Sequence, residues 1–421
     1  MGLLADPPKR LAMSERAAAY GRSMVWPAVA RSYAQSFARA RQEHGSRRRT
    51  TYQAKTLATR PVELPDARID HLQLMTDETG MLQHAAYTVP RYDDGYCLDD
   101  NARALLVMAH LEEAGTANLG VVRGLSSRYL AFVSHAFNAG PARFRNFLSY
   151  DRRWLEECGS EDSHGRALWA LGTVVGRSLD RGRQDLGRQL FTAALPAMTD
   201  VTSPRAWAYA LLGIDEYLRA CQGESSVQSM RGVLAERLLG LYRRVGRRDW
   251  PWFEEVLTYC NGRLSQALIA SGARMANEEM TGAGLESLRW LAEIQRSPLG
   301  HFSPVGSDGF FRRGAPKAEF DQQPVEACAM VSACLEAQRV TEDERWSERA
   351  QWAWSWFLGH NHLHQSLVDP ATGGCRDGLH RDRVNDNQGA ESTLSYLLAL
   401  LEMRAADRNG IGRTRAHQDN S

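Results

Sequence analysis

The residues that could carry out chemistry are acidic and stand at the polar beginnings of helical segments. Cleavage of a glycoside needs two carboxyl groups across the bond: one protonates the leaving oxygen, and the other attacks the sugar or activates water. Glu161, Glu326 and Glu391 are hard to explain as helix caps, and a carboxylate in an inward-facing helix is costly unless it meets a cavity or a partner. The candidate catalytic set is Asp100, Glu161, Asp321, Glu326 and Glu391.

Two further aspartates have a structural explanation as well as a functional one. Asp99 and Asp162 stand at helix beginnings, where a carboxylate stabilises free N–H groups. Arg103 and Arg166 follow them at a spacing of four residues, so each acid could also form an ion pair along its own helix. The two interpretations of Asp99 and Asp162 therefore carry equal weight.

Aromatic and polar side chains that could bind a sugar are concentrated between the helical segments. Aromatic rings stack on sugar faces, and planar amides and guanidinium groups form paired hydrogen bonds with hydroxyls. The aromatic candidates, some of which a helical core could also use, are Tyr92, Tyr96, Trp154, Trp252, Phe253 and Tyr259. The polar candidates are Asn101, His164, Arg166, Glu254, Asn261, Gln322, Gln323, Asn387 and Gln388.

The histidines do not form a metal-binding pattern. His360, His362 and His364 lie close together in sequence, but they lack a spacing such as His-Glu-x-x-His, so a solvated turn explains them better. The sequence therefore predicts neither a metal nor a cofactor.

Six short segments with a common pattern define the elements that must position these side chains. Each begins with polar residues and ends at an apolar anchor, and the anchors at 105, 168, 211, 268, 330 and 394 are 63, 43, 57, 62 and 64 residues apart. A loose period of this length is typical of a repeat architecture. The segments are 99–105, 162–168, 205–211, 262–268, 324–330 and 388–394.

Each repeat also contains an amphipathic stretch that completes a helical hairpin. Apolar residues recur there at intervals of three and four, whereas the helices that follow the six polar starts are apolar on most faces and belong inside. Six hairpins predict an all-α (α/α)6 toroid; the alternative is an open solenoid, but six hairpins close a ring and the intervals are irregular. The outer stretches are 67–75, 121–137, 184–198, 227–245, 285–294 and 346–358.

The long connections point to the position of a functional site. They all lead from an outer helix to the next inner helix, so they open onto one rim of the ring, and long structured loops in a compact domain are usually functional. The free N–H groups of the inner helices face the same rim and favour anionic or hydroxyl-rich ligands. We therefore expect a cleft at this rim, bordered by the loops 76–98, 138–161, 246–260, 297–323 and 359–387.

Composition agrees with a soluble, enzyme-sized protein. The chain has 421 residues, is 43% hydrophobic and carries a net charge of +1, so it can bury a large core and offers no general attraction for nucleic acid or a membrane surface. The first residues lack a signal-peptide pattern, and the sequence has no run long and apolar enough to predict a membrane span. Seven scattered cysteines favour a reducing cytoplasm.

The first 45 residues do not fit the repeat. The sequences LLADPPKRLAM at 3–13 and MVWPAVARSYAQSF at 24–37 resemble the C-terminal tail of family 4 glycosyltransferases. Since the sequence has no nucleotide-sugar domain, the resemblance implies helices packed on the outer wall of the ring or on a partner, for which a separate glycosyltransferase is a candidate. The predicted domains are this tail at 1–45, a linker at 46–65, the toroid at 66–405 and a disordered tail at 406–421.

From residue 71 onward a second resemblance applies. The segments 71–84, 95–105, 160–169, 320–327 and 387–394 resemble the domain that follows the transferase in some bacterial fusion proteins, and that domain is similar to the six-hairpin glycosidases. The resemblance spans roughly residues 66–403 and implies a carbohydrate-active domain linked to mannosyl or glucosyl metabolism.

The start of the second repeat gives one more indication. Residues 160–166 are similar to the Ser-Glu-Gly start on which family 8 glycosidases carry their acid, although Asp162 and His164 depart from that pattern. This likeness makes Glu161 the first candidate for the general acid. Its partner would be one of three acids at corresponding positions, namely Asp100, Asp321 or Glu391.

Three classes of function remain open. The first is a glycoside hydrolase that cleaves neutral, manno- or gluco-configured glycosides with a carboxylate pair. The second is a non-catalytic glycan-binding module that positions an acceptor for a glycosyltransferase. The third is a sugar epimerase, which would need two histidines on opposed inner helices, whereas only His164 occupies such a place.

Overall fold

The computed structural model describes residues 7–21, 64–115 and 118–418, together with the single positions 30, 34, 35 and 38. The chain divides into two compact units, Met1–Pro61 and Val62–Ser421. In the first unit, helix α1 (Pro7–Gly21) begins with two prolines, as suits a first helical turn. Most of the transferase-like segment at 24–37 and most of the predicted linker at 46–65 lie outside the described residues.

Within the described part of the second unit, twelve α-helices alternate between an outer and an inner layer. The even-numbered helices are outer and the odd-numbered helices are inner. In chain order they are α2 (Asp70–Leu74), α3 (Leu98–Ala114), α4 (Leu119–Ala136), α5 (Glu161–Arg177), α6 (Arg181–Ala194), α7 (Pro204–Ala220), α8 (Ser225–Val245), α9 (Asn261–Arg274), α10 (Glu278–Ile294), α11 (Pro324–Thr341), α12 (Arg345–Ser355) and α13 (Ala390–Gln418).

The inner helices form a closed ring. Each odd-numbered helix from α3 to α11 packs against the next, and α13 packs against α3. The outer helices pack on the inner ones, and the main apolar core fills the space between the two layers. Because the last inner helix meets the first, the architecture is the predicted (α/α)6 toroid, not an open solenoid.

Small residues allow the inner helices to approach closely. A Cβ added at Gly172 in α5 would lie 2.0 Å from the carbonyl oxygen of Gly213 in α7, and one added at Gly165 would lie 2.5 Å from the carbonyl oxygen of Ala206. These two helices therefore pack backbone against backbone, which only glycine permits.

Short antiparallel strand pairs brace the long loops. Two of them pair loops that are distant in sequence, since β3 (Tyr96–Cys97) pairs with β6 (Phe147–Leu148) and β7 (Val256–Leu257) pairs with β8 (Phe311–Arg312). The other strands in the described residues are β1 (Ala85–Ala86), β2 (Val89–Pro90), β4 (Phe137–Asn138), β5 (Arg143–Phe144), β9 (Gly378–Leu379) and β10 (Val384–Asn385).

The last inner helix is the longest of the described helices. It extends to Gln418 and so runs through most of the segment 406–421 for which the sequence analysis predicts a disordered tail. Extending a helix that is already formed adds one hydrogen bond for each residue ordered and needs no new nucleation. Among the described residues, the structure has no helix long and apolar enough to cross a bilayer.

Candidate functional site

A cavity of about 480 Å³ lies where the inner helices begin, and we call it the rim cavity. The first turns of α3, α5 and α13 contribute side chains to it, and the loops before α9 and α11 complete the wall. Its lining residues are Gln83, His84, Cys97, Asp99, Asp100, Arg103, Phe147, Ser160, Asp162, Arg166, Tyr259, Gln323, Asp377, Asn385, Gly389, Glu391 and Ser392.

One buried arginine joins two carboxylates in the rim cavity. Nη1 of Arg103 donates to Oδ1 of Asp100 at 2.8 Å, and its Nη2 donates to Oε2 of Glu391 at 2.5 Å. The Arg103 and Asp100 side chains are almost fully buried, whereas the Glu391 side chain is 46% exposed. The geometry thus brings together an enclosed carboxyl group from α3 and an accessible one from α13.

The two carboxyl groups have different environments. Burial raises the pKa of Asp100 to about 6, although the positive charge of Arg103 opposes that rise. The Cys97 thiol also donates to Oδ2 of Asp100 at 3.1 Å, which stabilises the ionised form. A carboxyl group with a pKa near 6 can hold a proton in mildly acidic or neutral solution and release it to a substrate.

A second buried arginine holds Asp99. Nε of Arg166 donates to Oδ1 of Asp99 at 2.7 Å, and Nη2 of the same guanidinium donates to the Tyr209 hydroxyl at 3.0 Å. The ion pair therefore connects α3 with α5. The sequence spacing allows Asp99 to pair with Arg103 and Asp162 with Arg166 along one helix. In the structure, Asp99 pairs instead with Arg166 of the neighbouring inner helix, and Asp162 is bound by Ser203 and Tyr259.

Asp162 is held by groups from the next two repeats. Its Oδ1 accepts a hydrogen bond from the Ser203 hydroxyl at 2.5 Å, and its Oδ2 accepts one from the Tyr259 hydroxyl. The Tyr259 ring is 39% exposed and covers the guanidinium of Arg205, whose Cζ is 4.8 Å from the ring centroid. Tyr259 therefore presents an aromatic surface to the cavity while it orients an acid.

Asp377 was not among the sequence candidates. It lies in the loop before α13, where its Oδ1 accepts a hydrogen bond from the backbone N–H of Gly389 at 2.8 Å. Burial raises the pKa of this carboxyl group. The sequence offered no signal beyond its position in a long loop, since nothing in a lone Asp-Gly pair shows where the loop will fold.

Three of the five candidate catalytic acids lie outside the rim cavity. Glu161 accepts hydrogen bonds from the backbone N–H groups of Thr202, at 2.9 Å, and Ser203, at 2.6 Å, so it fixes the chain before α7. Glu326 is buried and accepts from the Asn261 side chain at 2.8 Å, and burial raises its pKa. Asp321 lines a different cavity, described below.

Of the aromatic candidates, only Tyr259 lines the rim cavity. Trp252 and Phe253 are completely buried and lie in an aromatic cluster in which Trp252 contacts Trp290. Tyr96 is buried as well, and its hydroxyl donates to Oδ2 of Asp77 at 2.5 Å. Large rings contribute much apolar area to a core, and the sequence cannot show which loop rings face inward.

Of the polar candidates, Arg166 and Gln323 line the rim cavity, whereas Gln388 is buried and its Oε1 has no hydrogen-bond partner among the described residues. Asn101 joins Met81 and Cys97 through its amide. His164 is buried, its Nε2 lies 3.2 Å from the Ala194 carbonyl oxygen, and burial lowers its pKa to about 3.

Three more polar candidates, Glu254, Gln322 and Asn387, have partners within the fold. Glu254 pairs with Arg205 at 2.7 Å, and Gln322 accepts from the Trp356 indole N–H at 2.9 Å. The Asn387 side chain accepts from the backbone N–H of Tyr87 at 2.9 Å. These contacts explain the residues without a ligand.

A second cavity of about 520 Å³, which we call the loop cavity, lies between the loops that precede α11 and α13. Asp321 lines it together with His380, and Nδ1 of the imidazole contacts Oδ1 of the carboxylate. Arg381 also lines it, with its guanidinium carbon 5.4 Å from the centroid of the Phe320 ring. Among the described residues, no cluster of three or more histidine, cysteine or acidic side chains has the arrangement of a metal site.

The fold and the rim cavity define a member of the (α/α)6 toroid architecture. No family model matches the sequence, and no curated protein matches it. Solved structures do resemble it. Cellobiose 2-epimerase from Bacillus thermoamylovorans has a TM-score of 0.61 at 11% identity, over 81% of this chain and 96% of that chain.

Two further solved structures share the architecture. A D-mannose isomerase has a TM-score of 0.59 at 12% identity, over 80% of this chain and 94% of that chain. A family 76 α-mannanase from Bacteroides thetaiotaomicron has a TM-score of 0.52 at 8% identity, over 76% of this chain and 88% of that chain. The names of these three proteins all describe enzymes that act on carbohydrates. At 8–12% identity, the structural similarity shows that this chain shares their fold.

Proposed function

We propose that the protein is a glycoside hydrolase, with Asp100 as the general acid and Glu391 as the second carboxylate. The observation that carries the proposal is the arginine that joins these two groups at the mouth of the ring. One is enclosed and has a raised pKa, and the other is accessible from the cavity. Glycoside cleavage requires one carboxyl group that can donate a proton and a second that can reach the sugar or a water molecule.

The charge of the rim cavity favours a neutral sugar as the substrate. Among the described residues, five carboxyl groups line it, against two arginines that are already paired with three of them. An anionic sugar would meet an excess of negative charge. Hydroxyl groups, in contrast, can donate to carboxylate oxygens and accept from the amide of Gln323.

The histidines argue against epimerisation as the reaction of this site. Proton transfer at a sugar carbon by histidine bases would need imidazoles in the cavity. Of the described residues that line it, His84 is the sole histidine, and His164 is buried away from it. Since two of the similar structures are an epimerase and an isomerase, the test includes that reaction.

The test is a screen of manno- and gluco-configured aryl glycosides and reducing oligosaccharides with the wild type, Asp100→Asn and Glu391→Gln. General acid–base catalysis contributes about 10²-fold to 10⁴-fold, so each variant should lose about that much turnover of a hydrolysed substrate. Glu161→Gln is the matched control, because Glu161 lies outside the cavity and its loss should leave turnover near the wild-type rate.

Three results would contradict the proposal. The first is hydrolysis that persists in Asp100→Asn at the wild-type rate. The second is interconversion of a reducing sugar without hydrolysis, which would favour an epimerase. The third is tight binding of glycans without turnover of any of them, which would favour a binding module.

A further inference from the structure

The loop cavity and the rim cavity lie on two sides of one short partition. The backbone N–H of Gln322 donates to the Leu379 carbonyl, and the N–H of Leu379 donates to the Gln322 carbonyl, both at 2.9 Å. Asp321 and His380 lie beside this bridge and line the loop cavity. Gln323 and Asp377 lie one or two residues from the same bridge and line the rim cavity. The two cavities are therefore neighbours on the same rim.

The backbone of residues 306–308 supports the partition formed by the bridge between Gln322 and Leu379. The N–H of Ser307 donates to the Asp321 carbonyl at 3.0 Å, and the N–H of Asp308 donates to the Phe320 carbonyl at 3.1 Å. A Cβ added at Gly306 would lie 1.9 Å from the Phe320 carbonyl oxygen, so the supporting loop packs directly on the partition backbone. The wall between the cavities is thus preformed, which lowers the entropic cost of binding a ligand against it.

The loop cavity has the chemistry of a site for a neutral, hydroxyl-rich group. The described residues that line it carry four carboxyl groups and three basic side chains besides His380, so the net charge of this lining is close to zero. The Lys317 amine is occupied by the carbonyl oxygens of Ile294, at 3.0 Å, and Ser303, at 3.1 Å. The contact between Asp321 and His380 orients the imidazole, and the face of Phe320 is covered by Arg381.

We infer that the two cavities bind one glycan chain, in which the loop cavity holds a sugar residue distal to the bond at Asp100 and Glu391. This inference rests on the proposed function of the rim cavity and makes the substrate an oligosaccharide, not a monosaccharide glycoside. Asp321, His380 and Arg381 supply the hydrogen bonds to the distal residue.

The experiment is a calorimetric titration of full-length protein with manno- and gluco-saccharides of one to four residues. The Asp100→Asn change is present throughout so that the sugars are not consumed. Hydrogen bonds to charged groups contribute enough for about a tenfold change in affinity, so Kd should fall at least about tenfold between the shortest and the longest binding saccharide. His380→Ala and Arg381→Ala, each added singly, should reduce that gain and leave the Kd of the shortest saccharide unchanged.

Arg345→Ala is the matched control, because this exposed arginine on α12 pairs with Asp343 and lines neither cavity; it should keep the full dependence on chain length. Equal Kd values for all lengths, or a gain that survives both loop-cavity changes, would overturn the inference and leave the proposed function standing. If no saccharide of any length binds, the proposed function itself is wrong, and the inference falls with it.

Discussion

Arg103 in the first inner helix donates to Glu391 in the last inner helix, with an Nη2–Oε2 distance of 2.5 Å between residues 288 positions apart in the chain. Neither helix alone carries both carboxyl groups of the proposed pair, since Asp100 belongs to α3 and Glu391 to α13. The site therefore forms only when the ring closes and α13 packs against α3. The Arg103 guanidinium holds the two acids next to each other at this contact.

The first prediction concerns the pH dependence of turnover. If Asp100 must be protonated to act, kcat/KM should fall as pH rises through about 6, the pKa to which burial raises this group. The charge of Arg103 lowers that pKa, so Arg103→Gln should move the basic limb of the profile to higher pH, by about one unit or more. The measurement is kcat/KM of a hydrolysed glycoside between pH 4 and 9.

Arg166→Gln serves as the comparison for that experiment, because Arg166 pairs with Asp99 and not with Asp100. It should lower activity without a comparable displacement of the basic limb. A limb that moves to lower pH in Arg103→Gln, or equally in both variants, would show that Asp100 is not the group that titrates.

The second prediction is that Asp100→Asn gains stability relative to the wild type as pH rises from 4 to 7.5. The pKa of Asp100 is higher in the folded state than in the unfolded chain, so between about pH 4 and 6 the folded state binds the extra proton and stability falls as pH rises. Above pH 6 the wild type retains a buried ionised carboxylate, and the asparagine variant does not. The expected advantage is about 2 kcal/mol at pH 7.5 relative to pH 4.

Urea unfolding of both proteins at the two pH values measures this difference. An advantage of the variant that is equal at pH 4 and 7.5 would mean that ionisation of Asp100 is not its cause. If the stability of the variant relative to the wild type were greater at pH 4 than at pH 7.5, the pKa of Asp100 would be lowered on folding and not raised.

The architecture and the position of the cleft were predictable from the sequence because both depend on the repeat. The polar starts recur six times, so the helix beginnings and the long loops must meet at one rim. The repeat does not determine how each helix is rotated about its own axis, and this rotation decides which side chain faces the cavity. Glu161 and Asp162 are adjacent, yet Asp162 faces the rim cavity and Glu161 faces the chain before α7.

The loops account for most of the remaining differences. Asp321 and Asp377 both lie in long connections, and a short bridge between Gln322 and Leu379 places them in different cavities. Such a contact joins segments 57 residues apart and has no periodic pattern. Helical periodicity shows which side chains share a face of one element, but it gives no information on how two irregular segments meet.

The third prediction concerns the contact between α5 and α7. Gly172→Ala should destabilise the protein by about 3 kcal/mol, because the new Cβ would lie 2.0 Å from the Gly213 carbonyl oxygen and the backbones would have to separate. Gly240→Ala in α8 is the matched control, since no atom lies within 4 Å of its added Cβ. This second change should stabilise the helix by about 0.5–1 kcal/mol. Equal effects of the two substitutions in urea unfolding would contradict the close packing of these helices.

The last prediction concerns the class of ligand, and it holds whether or not the site is catalytic. Asp99, Asp162 and Asp377 add negative charge to the rim cavity beyond the proposed pair, while Arg103 and Arg166 are its two arginines. Neutral manno- or gluco-oligosaccharides should therefore bind, and a polyuronate or a nucleotide should not, because each would bring further negative charge into a partly enclosed space.

Calorimetric titration with all four ligands, at low and at moderate ionic strength, tests this prediction; the Asp100→Asn change is present so that the glycans are not consumed. Screening by salt should leave the affinity for a neutral glycan nearly unchanged, since its contacts are hydrogen bonds and stacking on Tyr259. Adding Asp377→Asn removes one carboxylate of the cavity and makes no further change at Asp100 or Glu391. It should raise the affinity for the polyuronate more than it changes the affinity for the neutral sugar. Binding of the polyuronate or the nucleotide alone would mean that the paired arginines, and not the carboxylates, determine what enters the cavity.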